Sequence, residues 1–183
     1  MIDYIVIGCW VAFAVVWIVA AFFVKRAQER QSLASRMALV LPALVVAVAI
    51  GFFPGGFLRK EVLPSWTRIF AVPLAVLGVA FAFWARYTLG RNWSSWVTFK
   101  KDHELIQTGP YRFVRHPIYG GLLTLFIATA LASGRLMFFI AMAIGAGALM
   151  VKMRQVETLM TQHFPETYPA YKQRTKRLIP FVL

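Results

Sequence analysis

The chain has 183 residues, 60% of them hydrophobic, with a mean hydropathy of +0.65. One soluble core of this length cannot bury that much apolar surface, so composition excludes an ordinary soluble domain and points to an all-α, polytopic membrane protein. The net charge of +13 raises nucleic acid as a partner, but the basic residues sit beside apolar runs, where membrane topology and anionic lipid account for them.

Crossing ~30 Å of hydrocarbon takes about 20 apolar residues in a helix. Ile2 to Val24 carries only Asp3 as a charge, Met37 to Phe57 carries none, and Ile69 to Trp84 carries none. These read as three spans, with "FFPGGF" breaking the second. The first lacks a basic start and a small-residue cleavage site, and so reads as an anchor rather than a leader. The single Cys9 allows no intramolecular disulfide or cysteine metal cluster and reads as a small apolar residue in a helix.

A polar block then runs from Arg86 to Pro117, with Trp93 and Trp96 suited to headgroup level. Ile118 to Met150 is apolar apart from Arg135, next to Ser133 and Gly134. That run is too long for one crossing and suits a helical hairpin turning at "SGR", which brings the expected total to about five spans. The last block, Lys152 to Leu183, continues the fifth span as a helix, breaks near Pro165, and ends in a short basic helix and "LIPFVL". Residues 1–85 thus read as transmembrane anchor and 86–183 as the part that carries chemistry.

Positive charge follows the first span (Lys25, Arg26, Arg30, Arg36), the third (Arg86, Arg91, Lys100, Lys101, Arg112, Arg115) and the fifth (Lys152, Arg154, Lys172, Arg174, Lys176, Arg177). The opposite side holds Arg135, and Arg59, Lys60 and Arg68 against Glu61. The positive-inside rule therefore places the N-terminus outside and the C-terminus, with both polar blocks, in the cytoplasm. A site formed by the cytoplasmic loop and the C-terminal helices is expected there.

The densest chemistry is in "GPYRFVRHPIYGG", Gly109 to Gly121. Gly109-Pro110 is a turn signal, and Pro117 suits the first turn of a helix. The amides of Ile118, Tyr119 and Gly120 would then be open donors for an anion, while Gly120 and Gly121 would admit a ligand or another helix close to the backbone. Downstream, Arg154 and Glu157 are three apart on one helix face, as an ion pair would be. His103, His116 and His163 lack a compact metal-ligand spacing, so no metal is expected. Ser94 and Ser95 have no nucleophile-elbow context.

Taken together, "WARYTLGRNWSSWV", "HELIQTGPYRFVRHPIYGG" and "ETLMTQHFPETYPAYKQRTKRLIPF" resemble the isoprenylcysteine carboxyl methyltransferase family and, more distantly, the membrane phospholipid methyltransferases. The resemblance covers about the C-terminal half. It implies an integral-membrane enzyme that uses S-adenosylmethionine without a Rossmann domain. By matching positions it implies cofactor contacts from His103, Leu105, Ile106, Tyr111, His116, Pro117, Tyr119 and Gly120, and from Glu157 on the last membrane helix. The cofactor carboxylate would lie at the "HPIYG" helix start and its ammonium and ribose at Glu157.

The acceptor the resemblance implies is a lipid-like carboxylate such as that of a prenylated cysteine. A phospholipid amine or a small thiol is the alternative within the class, and a non-catalytic scaffold binding anionic lipid the alternative outside it. Two positions depart from the family: Val156 stands where relatives often carry a second glutamate before Glu157, and Lys152 where some carry an arginine that orients the acceptor. Because lysine gives no bidentate fork, Arg154 and Lys152 are both candidates for placing the acceptor.

Overall fold

The computed structural model describes residues 1–22, 60–90 and 105–178, and within them the protein is helical, with only isolated bridges in place of strands. The helices are α1 (Ile2–Ala21), α2 (Ala71–Leu89, entered through the 3-10 turns Ser65–Phe70), α3 (Pro117–Ser133), α4 (Leu136–His163) and α5 (Thr167–Arg174). Three segments, Ile2–Ala20, Ser65–Leu89 and Leu136–His163, are long and apolar enough to cross a membrane, and α3 adds a shorter apolar helix of 17 residues. The protein is thus a polytopic membrane protein. The expected span Met37 to Phe57 lies outside the described residues.

The local sequence explains where the helices stop. Pro117 occupies the first turn of α3, and Gly134, at φ 66, ends it in the left-handed conformation that glycine takes without cost. The hairpin therefore turns at the "SGR" of the sequence. Its tip is pinned from outside: Val62 N–H donates to the Gly134 carbonyl at 2.9 Å and Leu136 N–H to the Lys60 carbonyl at 3.0 Å. With 28 residues α4 is about 42 Å long, longer than the hydrocarbon is thick, so its polar C-terminal part extends past the apolar layer.

Membrane helices gain nothing from hiding apolar surface from lipid, so close backbone approach and hydrogen bonds must hold them together. The seam of α2 is built accordingly from buried Ala71, Ala75, Gly78, Ala82 and Ala85. It meets Gly121, Leu125, Ala128 and Ala132 of α3. At the crossing, a methyl group on Gly121 would stand 2.5 Å from the Gly78 carbonyl oxygen. Of the two uses expected for the glycine pair, Gly121 admits a helix. Gly121→Val is expected to cost about 3 kcal/mol through overpacking, read as a lower thermal midpoint, whereas Gly8→Ala, with nothing within 4 Å, should leave it unchanged.

α1 joins through side chains. Trp10 Nε1–H donates to Thr129 Oγ1 at 2.9 Å across the α1–α3 contact, and Phe13 stacks on Trp17 with centroids 3.9 Å apart. Its other face, Ile7, Val11, Val15 and Ile18, is exposed at helical spacing and suits lipid. At the far end of α1, buried Arg86 of α2 donates to the carbonyls of Gly90 at 2.7 Å and Ala20 at 3.2 Å. The start of α1, residues 60–68 and the hairpin tip therefore share one end of the bundle. The end of α1, Arg86 and the "GPYRFVRHP" segment share the other.

Candidate active site

At that second end the C-terminal tail returns to lie along the "FVRH" segment. Arg115 N–H donates to the Lys176 carbonyl at 2.8 Å, His116 N–H to the Arg177 carbonyl at 3.0 Å, and Lys176 N–H to the Phe113 carbonyl at 3.3 Å. The short helix α5 sets the tail in place through two buried tyrosines, Tyr168 and Tyr171. The Tyr171 hydroxyl donates to the Tyr111 carbonyl at 2.7 Å. Burial pushes that hydroxyl up to about 12, so it stays a donor throughout the physiological range.

The two paired segments gather cations around Glu157, which is buried on α4. Arg177 grips the carboxylate as a fork, Nε to Oε1 at 3.0 Å and Nη2 to Oε2 at 2.8 Å. Arg115 Nε donates to Oε1 at 3.0 Å, and Lys172 Nζ lies 3.7 Å from Oε2. Arg115 is itself fixed by Nη1, which donates to the carbonyls of Lys172 and Thr175. Three cations thus face one carboxylate. The bond to Glu157 also raises the Arg177 guanidinium above its ordinary value.

His116 Nε2 lies 3.3 Å from Glu157 Oε1. Burial lowers its pKa, the largest influence, while the Glu157 contact raises it less and the net direction is down. His116 is therefore neutral at pH 7. A carboxylate only accepts, so the Nε2 atom carries the proton and donates. A histidine held neutral contributes stability that is present above its unfolded value of 6.5 and lost as pH falls below it toward the lowered folded value. The thermal midpoint should accordingly fall between pH 7 and pH 5.5, and fall less in His116→Gln.

Beside this polar knot lies an aromatic wall. The His116 ring stacks on Tyr119 with centroids 5.5 Å apart and planes at 16°. Tyr111 and Ile118 are buried together with Ala85, and Ile106, Leu89, Trp17 and Tyr119 pack against them. From α4, Lys152 Nζ stands 5.6 Å from the centroid of the Tyr119 ring, a cation–π distance.

Most of the candidate residues converge here. Ile106, Tyr111, His116, Tyr119, Lys152 and Glu157 form one continuous group through the contacts above, Pro117 is buried at the start of α3, and Leu105 is half-buried beside Ile106. Gly120 faces the tail, since a methyl there would lie 3.6 Å from the Leu178 carbonyl oxygen. His103 lies outside the described residues.

Two expectations need correction. Arg154 is not the partner of Glu157: it is exposed, in a stripe with exposed Thr158 and Thr161, and the described ion pairs of Glu157 go to Arg115, His116, Lys172 and Arg177. Of the amides expected to be open, that of Gly120 is taken by the His116 carbonyl at 3.1 Å, the ordinary first bond of the helix. Sequence reasoning passed over Arg115 and Arg177. The available signal was an arginine directly before "HP" and another directly before "LIPF". Among the described residues no group of three or more His, Cys, Asp or Glu could hold a metal ion.

The family model described as phospholipid methyltransferase matches residues 66–167. The chain is 27% identical over 149 residues to protein-S-isoprenylcysteine O-methyltransferase B of Arabidopsis thaliana, covering 80% of this chain and 73% of that protein. It is 29% identical over 118 residues to the nickel-cobalt-cadmium resistance protein NccN of Alcaligenes xylosoxydans xylosoxydans, covering 63% and 53%. Over the same length it is 28% identical to the cobalt-zinc-cadmium resistance protein CzcN of Cupriavidus metallidurans, covering 63% and 52%. Among solved structures it shares a fold with the eukaryotic intramembrane Ras methyltransferase ICMT, at a TM-score of 0.56 and 24% identity over 85% of this chain and 55% of that one. The chain spans about half the length of the two resistance proteins and of the solved chain.

Proposed function

We propose, from the premise that this chain belongs to the phospholipid methyltransferase family, that it moves a methyl group from S-adenosylmethionine to a lipid-like acceptor. The acceptor we favour is a carboxylate such as that of a prenylated cysteine, which would become a methyl ester. In this reading residues 1–85 anchor, residues 86–183 carry the chemistry, and the Glu157 end of the bundle faces the cytoplasm, as the positive-inside rule expects.

The observation that carries the reading is the charge imbalance at Glu157. Among the described residues, Arg115, Arg177 and Lys172 surround a single carboxylate while His116 is neutral. A partly buried site with surplus positive charge calls for a further anion, and the cofactor's α-carboxylate is one. The adjoining wall of Ile106, Tyr111 and Tyr119 suits adenine. Glu157 is already engaged by Arg115, His116 and Arg177, so it would meet the ammonium and ribose hydroxyls only by exchanging one of these donors. The described residues therefore fit S-adenosylmethionine, which Leu105, Ile106, Tyr111, His116, Pro117, Tyr119 and Glu157 would hold, while His103 is proposed from the family resemblance alone.

Bound there, the cofactor supplies a methyl group on a sulfonium, already activated for in-line displacement. What the protein must add is position and dryness. In this reading the tail, pinned along "FVRH" and tied down by Arg177 and Tyr171, would cover the site on the water side. A carboxylate acceptor needs no base at neutral pH, only a cation to place it, and the cation we assign to this is Lys152, over the Tyr119 ring. An acceptor with a lipid chain can approach along α4 from the membrane while the cofactor arrives from water.

Incubating the purified protein with methyl-tritiated S-adenosylmethionine and either S-farnesylcysteine or phosphatidylethanolamine tests the acceptor. The reading expects base-labile label in the farnesylcysteine. Label in the phospholipid alone would transfer the assignment to amine methylation, which the placement of Lys152 disfavours.

A further inference from the structure

At the opposite end of the bundle from Glu157 lies a cleft of about 310 Å³, lined by α1 (Asp3, Val6, Ile7), Arg68, α3 (Thr129, Ala132, Ser133) and the start of α4 (Arg135, Phe138). Nothing in the methyl-transfer reading uses it. The whole length of α3, about 25 Å for its 17 residues, separates it from His116.

Its lining mixes two chemistries. Val6, Ile7, Ala132 and Phe138 are apolar, and Ile7 is itself exposed where α1 faces lipid. Asp3, Arg68 and Arg135 carry charge, and the charges sort into two kinds. Arg68 is already matched, its Nη2 donating to Glu61 Oε1 at 2.9 Å. Asp3 and Arg135 have no ion-pair partner among the described residues, and both are exposed. Arg135 is nevertheless held by its backbone, which pairs with Glu61 at the hairpin tip. Thr129 is satisfied by Trp10 and by the Leu125 carbonyl, so the groups left to meet a ligand are one carboxylate, one guanidinium and the Ser133 hydroxyl.

One unmatched anion and one unmatched cation over an apolar wall, at the rim of the membrane, complement a zwitterion attached to a hydrocarbon chain. A purely anionic headgroup would gain Arg135 but face Asp3. We propose that this cleft binds a zwitterionic phospholipid, its phosphate on Arg135, its ammonium on Asp3 and the start of an acyl chain against Val6, Ile7 and Phe138. The site is separate from the methyl-acceptor site and at the other face of the membrane.

The test is native mass spectrometry of delipidated protein titrated with phosphatidylethanolamine, with phosphatidylglycerol, and with glycerophosphoethanolamine, which has the same headgroup without chains. Phosphatidylethanolamine should bind about tenfold more tightly than phosphatidylglycerol, a difference of about 1.4 kcal/mol, and the chainless headgroup should not compete. Asp3→Asn should abolish the preference and Arg135→Gln the binding. Both side chains are exposed, and unchanged thermal midpoints would confirm that the variants fold. Equal or tighter binding of phosphatidylglycerol, binding of the chainless headgroup as tight as that of the lipid, or full retention by both variants would overturn the proposal.

Discussion

Glu157→Gln is expected to destabilise the protein by about 3 kcal/mol, the range for removing one partner from a buried ion pair, and to bring methyl transfer down to background. The physical reason is that the side chain is 5% exposed and answers Arg115, Arg177 and Lys172 at once. An amide keeps the shape but not the charge, so three cations are left repelling one another and the tail loses its fork. Arg177→Gln separates the two effects, because it leaves Arg115 and Lys172 on the carboxylate. It should lower the thermal midpoint by a fraction of the Glu157→Gln effect while weakening cofactor binding by about tenfold, on the scale of one charge-assisted hydrogen bond. Differential scanning fluorimetry in detergent beside a binding titration reads both. An unchanged midpoint in Glu157→Gln would contradict the role given to the knot.

The second large effect concerns the two cations of α4. Lys152→Met is expected to reduce kcat/KM for a carboxylate acceptor by about 100-fold, the loss for one well-placed charge facing a reacting anion. Arg154→Met should stay within about twofold. Lys152 stands over the Tyr119 ring, which stacks on His116, whereas Arg154 shares its exposed stripe with Thr158 and Thr161. Steady-state rates at saturating cofactor decide the matter, and equal losses in the two variants would remove Lys152 from the acceptor's path. Lys152→Arg is informative as well: retained activity would mean that charge rather than the shape of an ammonium is what counts there.

Much of the fold was legible because hydrocarbon imposes a length. Apolar runs with at most one charge announced α1 and α2, and the run after Pro117 was too long for one crossing and carried its own turn in Ser133, Gly134 and Arg135. The helix start at Pro117 was legible for the same local reason, a proline that needs no donor. What the sequence hid were partners distant along the chain. Gly121 reads as a place for close approach, but nothing in it names Gly78 as the residue that approaches.

The site shows the same division. "RHPIYGG" and Glu157 carry the resemblance, and the structure brings His116, Tyr119 and Glu157 together. Helical spacing offered Arg154 as the partner of Glu157, three residues away. The arginines that hold it come from 42 residues upstream and 20 downstream, brought in by a tail whose pairing with "FVRH" leaves no periodic mark in so short a segment. Spacing rules report neighbours on one helix, and this carboxylate is satisfied by other elements. Val156, half-buried beside it, adds no second carboxylate to balance the cations.

In the proposed function, this surplus charge and the aromatic wall beside it hold S-adenosylmethionine. The experiment for it is isothermal titration of detergent-purified protein with S-adenosylhomocysteine, wild type beside Arg115→Gln and Tyr119→Ala. Saturable binding at one site per chain is expected in the wild type, lost or much weakened in both variants. Absence of binding by folded wild-type protein, or binding indifferent to both substitutions, would contradict it and favour a scaffold that only binds lipid.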